Sequence, residues 1–299
     1  MLELSHITKK QQEILILLYR FRFLNRIQIQ AFLKHKNKKT INVWLNDLRE
    51  KEYVERIYSN TFGENTKPAI YYLSLNGIRF LKTTDIEPEA LKKFYYERIR
   101  TETFIERSIL LGDIYLELLR ITESFNNSKI SKQVASGGFK EEIPKPPDKV
   151  KRIKFDMYLS SDYAATSEDD NWGDSSLPFQ ELVRELKPHA YIQKKKHSRK
   201  KHYFLEILSD IPLPYLRQRI KRYFNFFENF AWEYEEEPKS TFLIICPNNR
   251  VRVYVAGYIR KALAAMKENE EEPTFDVQIT TVEEVREHGV TAEVWRVVR

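Results

Sequence analysis

The stretch from Arg184 to Asp210, "RELKPHAYIQKKKHSRKKHYFLEILSD", decides how the second half of the chain is read. Its two apolar runs, "HAYIQ" (189–193) and "HYFLEIL" (202–208), are strand candidates. Between them lie Lys194, Lys195, Lys196, Arg199, Lys200 and Lys201, flanked by Tyr191 and Tyr203. One reading of this cationic run is a solvated hairpin tip. The other is a contact for a phosphate backbone, which such a cluster attracts without reading sequence. Glu206 is the one carboxylate on the two strands.

Outward from this hairpin, "IKFDMYL" (153–159) and "FQELVREL" (179–186) precede it as strand candidates, and "TFLIIC" (241–246), "FDVQIT" (275–280) and "EVWRVV" (293–298) follow. Over residues 213–230, Leu213, Leu216, Ile220, Tyr223, Phe224 and Phe227 share one helical face, whereas Arg217, Gln218, Lys221 and Arg222 point elsewhere. A strand, such a helix and a further strand imply a parallel crossover, so residues 126–299 read as an α/β domain with a mixed sheet. The acidic run "SSDYAATSEDDNWGDSS" (160–176) lacks the glycine and terminal glutamate of a calcium loop and reads as a solvated insertion near 160–177. The single cysteine, Cys246, sits in an apolar run and reads as a buried strand thiol. No disulfide within the chain is possible.

Composition bounds the classes open to the chain. At ~150 residues per domain, 299 residues suit two domains, each with its own core. An aromatic content of 13% excludes a disordered polycation. Lysine and arginine number 50 against 43 acids, and the excess is concentrated: residues 1–82 hold 15 basic and 7 acidic side chains, and residues 184–222 hold 12 and 3. No basic-then-apolar leader is present, and runs such as "ILILL" fall far short of the ~20 residues of a membrane span. A cytoplasmic location with no membrane contact is the expectation.

Residues 1–85 read as a winged helix. Thr8 and Gln11 form a capping box before Ile14, Leu17, Leu18 and Phe21 at helical spacing. Asn25 caps "RIQIQAFLK", and a third helix runs from about Thr40 to Lys51. There Ile41, Trp44, Leu45 and Leu48 face the core, and Asn42, Asn46 and Arg49 share the opposite side. "YVERIY" (53–58) and "AIYYLSL" (69–75) are strands around the wing "SNTFGENTKP". In this arrangement the third helix enters the major groove, so Lys38, Lys39, Asn42, Asn46, Arg49 and wing residue Lys67 are the candidates for double-stranded DNA contact. The plain alternative is a solvated helix face on a protein-contact module. Residues 86–125 form a helical connector, as one long or two successive helices, which also could open the second domain.

A winged helix, then a strand with Pro-Asp, a hairpin, a strand with Glu-x-Asp and a helix with lysine before Arg-Tyr is the layout of the replication-relaxation family of plasmids and mobile elements. The chain resembles that family through "KPHAYIQ", "YFLEIL" and "YLRQRIKRYFNFFE". The resemblance implies a PD-(D/E)xK nuclease fold for the second domain. The fold class is thus an α+β winged helix followed by an α/β mixed-sheet domain resembling that nuclease fold.

Nucleases of that fold hold a divalent metal between two carboxylates on adjacent strands, with a lysine nearby. Pro188 and Glu206 match by position, but His189 stands for the aspartate, Leu208 for the second acid or lysine, and Arg219 for the helix lysine. No catalytic residue, metal or other cofactor is therefore expected, and Glu206 is expected to pair with Arg219. Were the chain active, Glu185 or Asp210 would have to join Glu206, His189 and Arg219. The leading reading is a non-catalytic DNA-binding protein of a mobile element, acting in replication, maintenance, transfer or transcription. A metal-dependent nuclease with a rearranged site around Glu206 is the alternative, and a protein-interaction module is the third reading. A homodimer, or a replication or transfer partner protein, stays open, although no heptad stretch is present.

Overall fold

The computed structural model of the chain describes residues 4–58, 66–134, 153–163, 186–196, 199–209, 211–229, 240–268, 273 and 275–299. The chain divides into two compact units, one of Met1–Leu116 with Leu159–Arg184, the other of Glu117–Tyr158 with Glu185–Arg299.

In the first unit, α1 (Lys9–Phe21) starts at Thr8, whose capping box with Gln11 is present in both directions. After β1 (Leu24–Asn25), the same device at Asn25 and Gln28 starts α2 (Arg26–Phe32). Asn37 then caps α3 (Lys38–Glu50), two residues earlier than the sequence placed the start of this helix. β2 (Val54–Ile57) and β3 (Ile70–Leu73) pair antiparallel, and β1 joins to give the order β1-β3-β2. Ile14, Leu18, Ile41, Leu45 and Leu48 are buried together with Leu15 and Phe23 in the unit's core. Trp44, expected in that core, is only half-buried and sits edge-on to His35.

The strand expected over 69–75 stops at Leu73, because α4 (Leu75–Leu81) begins there from Ser74. Gly77 makes this turn of helix possible: a Cβ at that position would collide with the Tyr53 carbonyl oxygen. The connector is two successive helical segments and not one. α5 (Pro88–Leu91) runs into a 3-10 turn at Lys92–Ile99, the chain extends at Arg100, and α6 (Glu102–Val134) starts anew. The start of the acidic run is helical, not loop: α7 (Ser160–Tyr163) docks within the unit through Asp162 on Arg20 and the Ser161 hydroxyl on the Arg20 carbonyl. The rest of that run, most of the strand expected at 179–186 and the wing residues 59–65 lie outside the described residues; Leu186 is helical.

The second unit is built on a six-stranded sheet. β4 (Ile153–Leu159), β5 (Ala190–Lys196), β6 (Arg199–Ile207), β7 (Ser240–Cys246), β8 (Phe275–Thr281) and β9 (Arg296–Val298) lie in sequence order across it. β5–β6 and β8–β9 are antiparallel, whereas β6, β7 and β8 run parallel. The crossovers are α8 (Leu213–Asn229) and α9 (Asn249–Glu268). Strand β9 is shorter than the expected 293–298, beginning at Arg296; just before it the Trp295 indole N–H donates to the Val290 carbonyl. Every residue of β7 is buried, Cys246 included, as a central parallel strand requires. Tyr223 stacks on Phe242 at 4.1 Å and Phe224 meets Phe275 edge-on at 5.1 Å, which seats α8 on the sheet.

After β8, α10 (Val282–His288) ends at Gly289, φ 88°, and the next two backbone N–H groups donate to the Glu117 carboxylate at 2.8 and 3.0 Å. Among the described residues no helix is long and apolar enough to cross a membrane.

Gly77 yields a prediction in which two effects oppose each other. Alanine is the better helix former by ~1 kcal/mol, but here its Cβ collides with backbone that cannot move aside alone. Gly77→Ala is expected to destabilise the first unit by about 2 kcal/mol, read as a lower midpoint in urea denaturation.

Candidate functional site

On α3 the pattern Ile41, Leu45 and Leu48 turns one face inward, so the residues between them must face water. Lys38, Lys39, Asn42, Asn46 and Arg49 are all exposed, and Val43 among them is 63% exposed. The Asn37 side chain accepts from the Lys39 backbone N–H at 2.8 Å and fixes the start of this face. Asp47, which would offset the bases, is engaged elsewhere: Lys51 donates to it at 2.8 Å, and Gln11 of α1 also donates. Those hydrogen bonds hold the Asp47 carboxyl below its usual range. Lys67 is exposed before β3.

The β5–β6 hairpin places its cations in direct register. Lys194 faces Lys201, Lys195 faces Lys200 and Lys196 faces Arg199, three consecutive rungs of like charge. Directly opposite like charges destabilise a ladder. Side chains of opposed residues share a face, so Lys194, Lys196, Arg199 and Lys201 project together, and Lys195 with Lys200 project on the other side. The second set is partly compensated, because Asp156 of β4 lies 3.1 Å from Lys195 and 2.7 Å from Lys154. Among the described residues no carboxylate lies within ion-pair distance of the four-cation face. Partial burial, then Lys201 and Lys196, push the Lys194 ammonium below its ordinary value, and its charge lies 5.4 Å from the Phe155 ring centre.

Glu206 stands at the other end of the same hairpin and is 3% exposed. Arg219 of α8 grips it with both arms of its fork, Nε to Oε1 at 2.9 Å and Nη2 to Oε2 at 3.0 Å. The Tyr223 hydroxyl, one helical turn on, donates to Oε2 at 2.6 Å. His189 Nδ1 lies 3.4 Å from Oε1, yet it accepts the Ile207 backbone N–H at 3.0 Å. A nitrogen that accepts carries no proton, so the shorter contact describes a neutral Nδ1 that props the strand end and does not donate to Glu206. Burial would raise the Glu206 carboxyl, but the hydrogen bonds and charge of Arg219 and the hydrogen bond of Tyr223 hold it below the usual range. Burial and the Glu206 charge push the Tyr223 phenol well up, so it remains a donor.

Leu208, just past the end of β6, is buried and apolar. Glu185 and Asp210 lie outside the described residues. The residues that are described do not suit a hard divalent cation: a metal on Glu206 would have to displace a bidentate guanidinium and a phenol, and among the described residues no second carboxylate stands beside it. Among the described residues no three histidine, cysteine, aspartate or glutamate side chains converge as a metal site would need. The Glu206–Arg219 pair is the one expected from the sequence, whereas Tyr223, expected only on an apolar face, joins it as a donor. The spacing of four between Arg219 and Tyr223 was the available signal. The cross-strand matching of the cations was not visible without the register.

Residues 15–237 match the family model described as replication-relaxation. That span holds α3, the cationic hairpin and the Glu206 cluster. No curated protein matches the chain. Among solved structures, the restriction endonuclease FokI bound to DNA aligns with 95% of this chain at 13% identity and a TM-score of 0.25, too slight a likeness to argue from; the chain spans 45% of that protein.

The Glu206 cluster predicts its own energetics. Arg219→Leu leaves a buried carboxylate with one phenol and should cost about 3 kcal/mol, the low end of the range for breaking a buried pair, since Arg219 is partly exposed. The carboxyl's folded pKa is depressed, so its stabilisation is full above the unfolded value of about 4.3 and is lost as pH falls through the folded one. Glu206→Gln should therefore flatten the acid limb of stability below that pH, measured by denaturation at stepped pH.

Proposed function

The chain belongs to the replication-relaxation family, and on that premise we propose that it is a non-catalytic protein of a plasmid or mobile element that binds double-stranded DNA in replication, maintenance, transfer or transcription. The observation that carries this reading is the set of three like-charge rungs on β5–β6. A fold gains nothing from opposing six cations in pairs, whereas a polyanion released from its counterions does.

Residues 1–85 act as a winged helix in this proposal, with 86–125 as a helical connector and 126–299 as a restriction-endonuclease-like domain. The order α1, β1, α2, α3, β2, β3 and the β1-β3-β2 sheet support the first of these. Antiparallel β5–β6 leading into a parallel strand through α8 supports the last. The α3 face supplies sequence preference, because Asn42 and Asn46 can pair with adenine and Arg49 with guanine in the major groove, while Lys38, Lys39 and Lys67 hold phosphates. The hairpin adds affinity that is blind to sequence. Glu206, engaged by Arg219 and Tyr223, supports a site that has lost metal chemistry and kept its shape.

Three outcomes follow, each with its measurement. Replacing Asn42, Asn46 and Arg49 by alanine should abolish sequence preference in competition binding, at ~1–3 kcal/mol per base contact; equal preference in the triple variant would rule out α3 as the reader. Neutralising Lys194, Lys196, Arg199 and Lys201 should weaken all duplexes alike and reduce the log-log salt slope by ~0.9 for each phosphate no longer neutralised. Linear, supercoiled and single-stranded DNA should survive incubation with magnesium or manganese; cleavage that Glu206→Gln abolishes would favour the nuclease reading instead.

A further inference from the structure

Arg22 closes α1 with φ 71° and ψ −50°, and the Phe23 N–H donates to the Phe21 carbonyl at 2.9 Å. Together these make a positive-φ γ-turn, a rare and strained conformation, with an arginine at its apex. Strain of this kind on a non-glycine residue persists where the surroundings hold it, and it gathers at functional positions.

The turn sends the Arg22 guanidinium to the 3-10 segment. Nε donates to Glu97 Oε1 at 2.7 Å, and Nη2 contacts the same oxygen. Arg100 converges from the other side: its Nη2 donates to the Lys93 carbonyl at 3.2 Å, and its Nε lies 3.7 Å from Glu97 Oε2. The Arg100 Nε and the Glu97 Oε2 are both buried and, at that separation, neither has a hydrogen-bond partner among the described residues. Both guanidinium groups lie over Phe104, at 4.5 and 5.0 Å, and the Lys93 ammonium lies 5.7 Å from the centre of the Phe94 ring. Among the described residues neither Lys93 Nζ nor Arg22 Nη1 has an acceptor at hydrogen-bonding distance. Burial, then the charges of Arg22 and Arg100, push the Lys93 ammonium down to about 8.

Arg22, Lys93 and Arg100 therefore meet Glu97 in a place largely withdrawn from water; Asp162 also favours the Lys93 ammonium but is paired with Arg20, so a surplus of two positive charges is left. Aromatic faces relieve that surplus only weakly, and uncompensated charge away from water is costly. The geometry lacks an acceptor-rich anion. We propose that Arg22, Lys93 and Arg100 form a binding site for a phosphate-class oxyanion, separate from the α3 face and the hairpin. Two guanidinium forks and an ammonium offer more donors than the two oxygens of a carboxylate can take, which favours a tetrahedral phosphate group. Its source is either a DNA backbone or a free phosphate.

The full-length chain is heated at constant ionic strength in chloride and in inorganic phosphate, as the parent and as Lys93→Met, with Lys93→Gln as a second variant. Phosphate should raise the parent's Tm, and the variants should lose the part of that rise that belongs to this site. Duplex binding across a salt series separates the sources: a slope lowered by ~0.9 in the variants assigns the anion to the DNA backbone, and an unchanged slope with a lost phosphate response assigns it to free phosphate. A phosphate response and a salt slope both unchanged by either substitution would overturn the proposal. So would a parent that shows no phosphate response, if its salt slope also equals that of the variants.

Discussion

A carboxylate inside a sheet must find its counter-charge or lose its charge, and Glu206 meets that demand through a single helix. Arg219 and Tyr223 lie four residues apart on α8, so both reach the same carboxylate only if the helix sits at one height and one rotation above β6. The Tyr223 ring, held by its hydroxyl, then stacks on Phe242 of β7, and the next residue, Phe224, reaches Phe275 of β8. One polar triad thus sets how the crossover lies across three parallel strands. The same triad leaves Glu206 fully engaged, so the interaction that seats the crossover also takes up the one buried carboxylate described on β5 and β6.

Much of this was legible in the chain of residues. Capping boxes at Thr8 and Asn25 announce helices because their side chains must satisfy orphan N–H groups, and no tertiary information is needed to see it. The apolar stripes of α3 and α8 and the apolar runs of β5 to β8 were equally readable from period alone, but β5 and β6 extend through the lysines and the arginine that the sequence placed in the turn. What failed depended on contacts distant in sequence. Leu75 leaves its strand because Gly77 can press on the Tyr53 carbonyl, and β1 exists only because Leu24 and Asn25 meet Tyr71 and Ile70. Within the site, the Glu206–Arg219 pair followed from a carboxylate and a base one crossover apart. The role of Tyr223 and the neutral, strand-propping Nδ1 of His189 did not, since both rest on hydrogen bonds that hydropathy does not register.

The two units present different physical offers to a polyanion. On α3, amides and one arginine stand among lysines, with Asp47 drawn aside by Lys51 and Gln11, so directional hydrogen bonding is available together with charge. On β5–β6 there is charge alone, concentrated by register into a face of four cations. Charge of that kind gives affinity that falls with salt, and amides give preference that does not. A protein that finds one place on a long duplex, as proposed for this chain, would use both, and the chain carries them on separate elements.

On the proposed reading, the Glu206 site does not bind a metal. Titrating manganese into the protein and following the backbone amide signals of His189, Glu206 and Ile207 tests it directly, because a bound paramagnetic ion broadens signals within its reach. These signals should keep their width at manganese concentrations that saturate metal nucleases. Selective broadening centred on Glu206, reversed by magnesium, would contradict that reading.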